Sequence, residues 1–122
     1  MAAILVVDDQ AVTQRVLSAQ LRKNGHEVET AGGAREALER LRADRFDLAI
    51  LDIAMPEMDG LALLRVLRAD ARYGTLPIVM LTASGQDEDR IAARACGANA
   101  FLNKPTSSWE LADTVSGLLS SS

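Results

Sequence analysis

Three short, continuous apolar runs, each stopped by a carboxylate or a hydroxyl, constrain this chain more than any other feature. Ala3-Ile4-Leu5-Val6-Val7 ends at Asp8-Asp9, Leu48-Ala49-Ile50-Leu51 ends at Asp52, and Pro77-Ile78-Val79-Met80-Leu81 ends at Thr82. Runs of this length are far too short to cross a bilayer as a helix. They are rich in β-branched and aliphatic residues without alternation, which is the pattern of strands covered on both faces. Such strands belong to a parallel sheet sandwiched between helices, so the intervening sequence has to be helical.

It is. Ala34, Ala37, Leu38 and Leu41 fall at i, i+3, i+4 and i+7, one apolar stripe, and Leu111, Val115, Leu118 and Leu119 repeat the pattern near the end. Ser107-Ser108-Trp109-Glu110 reads as a capping box opening that last helix. Gly25 and Gly97 follow helical stretches, where a left-handed C-terminal cap is expected. His26-Glu27-Val28-Glu29-Thr30 alternates and suits an exposed edge strand, and Ala98 to Leu102 is a weaker fifth strand. The order is strand then helix, five times over. Right-handed crossovers and an edge position for the alternating strand give a flavodoxin-like, doubly wound α/β fold: a five-stranded parallel sheet in the order 2-1-3-4-5.

At 122 residues the chain reads as a single domain over 1–122, with its core in about 3–119 and Ser120-Ser121-Ser122 as a tail or the start of a linker. A formal net charge of −4 argues against direct nucleic-acid binding, which needs clustered excess Lys and Arg. No run approaches a membrane span and no basic leader precedes the first apolar residues, so a cytoplasmic location without membrane association is expected. Cys96 is the only cysteine, which excludes an internal disulfide; it reads as a small buried hydrophobe. Of 13 Lys and Arg only Lys23 and Lys104 are lysine, and Lys104 stands before Pro105 at the end of the fifth strand. There a point charge on a flexible stem reaches an anion. Whether Lys104-Pro105 is cis stays open at this level.

In an open parallel sheet the carboxyl ends of the strands meet at one crevice. Asp8, Asp9, Asp52, Thr82 and Lys104 therefore converge. Three carboxylates that close repel one another unless a cation joins them. An all-oxygen donor set without His or Cys selects a hard ion, Mg²⁺, or Mn²⁺ in its place. Asp52 is the natural nucleophile, since a carboxylate attacks phosphorus to give an acyl phosphate. Lys104 neutralises charge on the transferred group, and Thr82 donates its hydroxyl to it. Each residue has a plainer explanation when taken singly, Asp8 or Asp9 as a helix N-cap and the segment after Asp52 as a turn. The four strand ends together do not.

Ile4-Leu5-Val6-Val7-Asp8-Asp9, Asp52-Ile53-Ala54-Met55-Pro56-Glu57-Met58-Asp59-Gly60, Leu81-Thr82-Ala83 and Lys104-Pro105 resemble, in order and interval, the receiver domain of two-component response regulators. The resemblance implies that Asp52 is the phosphoacceptor, taking its group from a histidine kinase or histidine phosphotransfer domain. It implies that Asp9 ligates Mg²⁺ directly, Asp8 mainly through water, and Ala54 through its backbone carbonyl. Thr82 and Phe101 are similar to a switch pair, in which the hydroxyl moves to the phosphoryl group and the aromatic ring turns inward. The implied output is a downstream protein target or effector domain. On this reading the chain is no enzyme beyond catalysing its own phosphorylation and dephosphorylation. The rivals are a degenerate receiver serving only as a binding module, and a Mg²⁺-dependent aspartyl-phosphate phosphatase. The retained acids weigh against the first, and against the second the lack of an acid two residues after Asp52 or of a cap domain. Ala54 and Ser84 stand where members of this family flank the phosphoryl site, and neither offers an amide or carboxylate to position an attacking water, so self-hydrolysis is expected to be slow or ordinary.

Overall fold

The computed structural model describes residues 2–83 and 87–120. Strands β1 (Ala3–Val7), β2 (Glu27–Ala31), β3 (Leu48–Asp52), β4 (Ile78–Thr82) and β5 (Ala100–Asn103) alternate with helices α1 (Ala11–Lys23), α2 (Ala34–Ala43), α3 (Gly60–Ala69), α4 (Asp87–Ala95) and α5 (Ser108–Ser120). A short 3-10 turn, Ala71–Tyr73, links α3 to β4. The sheet is parallel throughout and runs β2-β1-β3-β4-β5, the order expected from the sequence.

The pleat sorts each continuous apolar run onto two faces. Leu5, Val7, Ala49, Leu51, Ile78 and Met80 pack beneath α2, α3 and α4, through Ala37, Leu41, Leu63, Leu64, Leu67 and Ala93. Ile4, Val6, Leu48, Ile50, Val79 and Leu81 pack beneath α1 and α5, through Leu17, Leu21, Leu111 and Val115. Burial of these side chains, worth about 1.5–3 kcal/mol for each Val, Leu, Ile and Met and less for each Ala, is what fixes the strand ends relative to one another. Cys96 is half-buried at the margin of the first layer rather than fully enclosed.

The starts of β2 and β5 fall later than the sequence-based expectation, for one physical reason. His26 and Ala98 read as strand residues, but their N–H groups close the preceding helices. The His26 N–H donates to the Leu21 carbonyl at 3.1 Å and the Ala98 N–H to the Ala93 carbonyl at 2.9 Å. Gly25 and Gly97, with φ of 91° and 101°, turn the chain at each place. These are Schellman caps, and each uses up the residue that follows its glycine. At the end of the chain, Ser107 Oγ accepts the Glu110 N–H at 3.0 Å, as a capping serine should.

Candidate functional site

β1 and β3 are neighbours in the sheet; Asp8 and Asp9 follow directly on the last residue of β1, and Asp52 is the last residue of β3. Asp8 and Asp52 are buried, Asp9 is exposed, and one carboxylate oxygen from each lies within 4.8 Å of the others. A local hydrogen bond aims the first, Asp8 Oδ1 accepting the Gln10 N–H at 2.8 Å, and the backbone N–H of Ala54 exerts a small favourable pull on the Asp52 carboxylate. The loop between β3 and α3 folds back under Asp52. Asp59 caps α3 by accepting the Ala62 N–H at 2.8 Å, and the Gly60 N–H donates to the Ile53 carbonyl at 2.8 Å. A Cβ at position 60 would overlap the Asp52 carbonyl oxygen, so only glycine permits this approach. Glu57, with φ of 68°, makes the bend inside the same loop.

From the other side of the crevice, β5 delivers Lys104. Its N–H donates to the Thr82 carbonyl at 2.7 Å, and the Lys104-Pro105 bond that follows is cis. The ammonium lies 2.7 Å from Asp8 Oδ2 and 3.3 Å from Asp52 Oδ2. Thr82, buried, ends β4 one residue past Leu81, the register partner of Asp52. Phe101 is placed further down β5 and outside the carboxylate cluster. It pairs in register with Met80, packs half-buried against the α2–α4 layer, and has the Arg90 guanidinium 5.1 Å from its ring centroid. Met80 and Thr82 alternate onto one face of β4, so Phe101 and the threonine share a side of the sheet. Ser84 lies outside the described residues.

The electrostatics are those of a site short of positive charge. Burial, followed by repulsion from Asp8, raises the Asp52 carboxyl above its ordinary 3.8, against the pull of Lys104 and the Ala54 N–H. For Lys104 burial is the largest single influence and works against the charge. Asp8 and Asp52 together outweigh it and hold the ammonium above its ordinary 10.5. One lysine thus faces three carboxylates. Among the described residues Asp8 Oδ2 is buried with no aligned hydrogen-bond donor, and the Lys104 ammonium stands 2.7 Å from it. A buried anionic oxygen with spare acceptor capacity, in an all-oxygen donor set carrying excess negative charge, fits a hard divalent cation.

Reasoning from sequence brought the acids, Thr82 and Lys104 to one crevice, but it overlooked two supports. Gln14 Nε2 donates to the Asp8 carbonyl at 2.6 Å and so steadies the end of β1. The side chain of Gln10 reaches over the crevice, its Oε1 standing 3.4 Å from Lys104 Nζ. Position within the first turn after Asp8-Asp9 was the available signal, and glutamine there does not announce its direction.

Comparison with known proteins agrees with this fold. The family model for the response regulator receiver domain matches residues 4–116. Response regulator MprA of Mycolicibacterium vanbaalenii is 40% identical over 116 residues, covering 95% of this chain and 49% of that protein. Protein PilH of Pseudomonas aeruginosa is 32% identical over 119 residues, covering 98% of each. The chain therefore spans about half the length of the first relative and nearly all of the second. The crystallised chemotaxis protein CheY4 of Vibrio cholerae superposes with a TM-score of 0.91 at 36% identity, covering 97% of this chain and 98% of that one. A family match over nearly all of the chain, on the same sheet order and with a relative alike from end to end, leaves one conclusion: the chain belongs to the family of response regulator receiver domains.

Proposed function

We propose that this domain is a phosphoacceptor whose Asp52 takes a phosphoryl group from a phosphohistidine on a histidine kinase or histidine phosphotransfer domain. The observation that carries the reading is the placement of a buried, charge-stressed Asp52 within 3.3 Å of the Lys104 ammonium, in a cluster with Asp8 and Asp9. An Asp52 carboxylate oxygen forms the bond to phosphorus as the bond from phosphorus to the histidine nitrogen breaks. Lys104 then exchanges its contact with Asp52 for one with a phosphoryl oxygen, and Thr82 donates its hydroxyl to another. Mg²⁺, or Mn²⁺ in its place, would be held by Asp8, Asp9, Asp52 and the Ala54 carbonyl and would neutralise charge on the transferring group. The domain acts on itself alone, so its output is a change of surface.

Thr82 and Phe101 carry that change, on the reading that hydroxyl movement frees room for the ring. Ile91 on α4 and Trp109 on α5 are exposed large apolar side chains on either side of β5, and that suits a protein target or effector at the α4–β5–α5 face. No helix among the described residues is long and apolar enough to cross a membrane.

The experiment is incubation with Mg²⁺ and acetyl phosphate. One phosphoryl group, labile to base and hydroxylamine, should appear in the wild type and be lost in Asp52→Asn. Label that resists hydroxylamine, or that persists in Asp52→Asn, overturns the assignment.

A further inference from the structure

Gln10 occupies the N-cap of α1 but forms no side-chain cap bond to the helix. Ser, Thr, Asn and Asp cap because their short side chains reach the N2 or N3 amide; glutamine is one carbon too long for that geometry. Its carboxamide goes elsewhere. Oε1 accepts the Thr13 hydroxyl at 3.3 Å and faces Lys104 Nζ at 3.4 Å. Lysine only donates, so the carbonyl end of the amide is the end turned toward it. Among the described residues the ammonium thus pairs by charge with Asp8 Oδ2 at 2.7 Å and Asp52 Oδ2 at 3.3 Å and donates a hydrogen bond to Gln10 Oε1 at 3.4 Å.

We propose that Gln10, braced by Thr13, is a positioning residue that holds the Lys104 ammonium at the mouth of the crevice. The contact itself stands on the geometry, and its consequence rests on the phosphoacceptor reading. A lysine stem is flexible, and an ammonium left with two buried carboxylates settles between them. That arrangement occupies the Asp52 oxygen that must attack phosphorus. The neutral amide draws the charge outward at no electrostatic cost to an incoming anion, which a carboxylate at the same position would repel. When a phosphoryl oxygen replaces Asp52 as an acceptor, the Gln10 contact is already in place.

The chain has only two lysines, Lys23 and Lys104, so ¹⁵N-lysine labelling gives a side-chain spectrum of two signals. In Mg²⁺-free, unphosphorylated protein, Gln10→Leu and Thr13→Val should shift the Lys104 Nζ signal and leave that of Lys23 in place. With Mg²⁺ and acetyl phosphate, Gln10→Leu should slow phosphorylation about fivefold and Thr13→Val about twofold, as loss of one weak hydrogen bond predicts. Adding Gln10→Leu to Lys104→Met should slow it no further. Losses that add in the double variant would mean that Gln10 acts on the start of α1 and not through the lysine, and the proposal would fall. An unmoved Lys104 signal in both single variants would overturn it as well. If the signal shifts while the wild type takes no label, the positioning contact stands and the phosphoacceptor reading is the part that fails.

Discussion

The two ends of the sheet use the same residue types for opposite purposes. At the amino-terminal edge Asp47 Oδ2 accepts the Ala3 N–H at 2.8 Å, while the Asp47 N–H donates back to the Ala3 carbonyl at 2.7 Å. Asn99 does the same for the other half of the sheet: its Oδ1 accepts the Ile78 N–H at 2.9 Å and Arg68 Nη2 at 2.7 Å, and its N–H donates to the Ile78 carbonyl at 2.8 Å. Each of these side chains clamps the first residue of a neighbouring strand through a backbone N–H that its oxygen accepts. At the carboxyl-terminal edge Asp8, Asp9 and Asp52 confront one another, and Asp8 and Asp52 share the Lys104 ammonium. A polar strand end whose needs are met by backbone is punctuation. One left with charge to spare is a site.

The sharpest way to break this comparison is one substitution made at both ends. Asp52→Asn should abolish phosphoryl incorporation, since an amide is a far weaker nucleophile, whereas Asp47→Asn should leave it within about twofold. Stability should move in opposite directions. Asp52 is held above its ordinary 3.8, so the folded chain binds that proton more tightly than the unfolded chain. The resulting penalty is absent below 3.8 and complete above the folded value, so Asp52→Asn should raise the urea midpoint at neutral pH. Asp47→Asn keeps an acceptor but loses a charge-assisted bond, and should lower stability by roughly 0.5–1 kcal/mol. A fall in the midpoint for Asp52→Asn would contradict the account of the site as charge-stressed.

Next in size is the shared cation. Lys104→Met removes the charge between Asp8 and Asp52 and leaves buried carboxylates uncompensated, at a cost of roughly 3 kcal/mol in the absence of divalent ions. Millimolar Mg²⁺ should recover much of that loss, because a cation bound to the folded state stabilises it by mass action. Urea melts of wild type and Lys104→Met, each with Mg²⁺ and with EDTA, test the point; equal Mg²⁺ stabilisation in Asp9→Asn would remove the acids from the metal site. At the opposite edge Asn99→Ala strands a buried Ile78 N–H, with an expected loss of roughly 1–2 kcal/mol that Mg²⁺ leaves untouched.

The same contrast explains what was legible before the fold was known. Continuous apolar runs announce buried strands, and their polar stops announce the crevice, so sheet order and the gathering of Asp8, Asp9, Asp52, Thr82 and Lys104 followed from pattern and topology. The starts of β2 and β5 did not, because His26 and Ala98 give their N–H groups to helix caps, a hydrogen bond that hydropathy does not encode. Gly60 was readable as turn punctuation, but its closeness to the Asp52 backbone is a tertiary fact. Gln10 and Gln14 were invisible for a related reason. A glutamine side chain is long and neutral, and only the surroundings decide where it points.

The smallest expected effect is a titration. Asp70, in the turn that leads to the amino-terminal edge of β4, is partly exposed and pairs with the exposed Arg72, whose Nη2 lies 2.7 Å from Asp70 Oδ2. The Arg72 side chain, helped by its backbone N–H, lowers the Asp70 carboxyl to about 2. Asp52 is shifted the other way by burial and Asp8. The signs of linkage are therefore opposed. The Asp70 contribution is present above 3.8 and lost as pH falls through about 2, while the Asp52 penalty is relieved as pH falls through its raised value toward 3.8. Because the Asp70 pair is exposed, salt screens it and its effect on unfolding is slight, so carboxyl carbon shifts are the proper readout. In low salt Asp70 should titrate near 2 and return toward 3.8 in Arg72→Ala, with no response to Mg²⁺. Asp52 should titrate above 3.8 and move down when Mg²⁺ is added, because a bound cation favours the carboxylate. An Asp52 midpoint at or below that of Asp70 would show that Lys104 alone satisfies the cluster, and the distinction between the two edges would collapse.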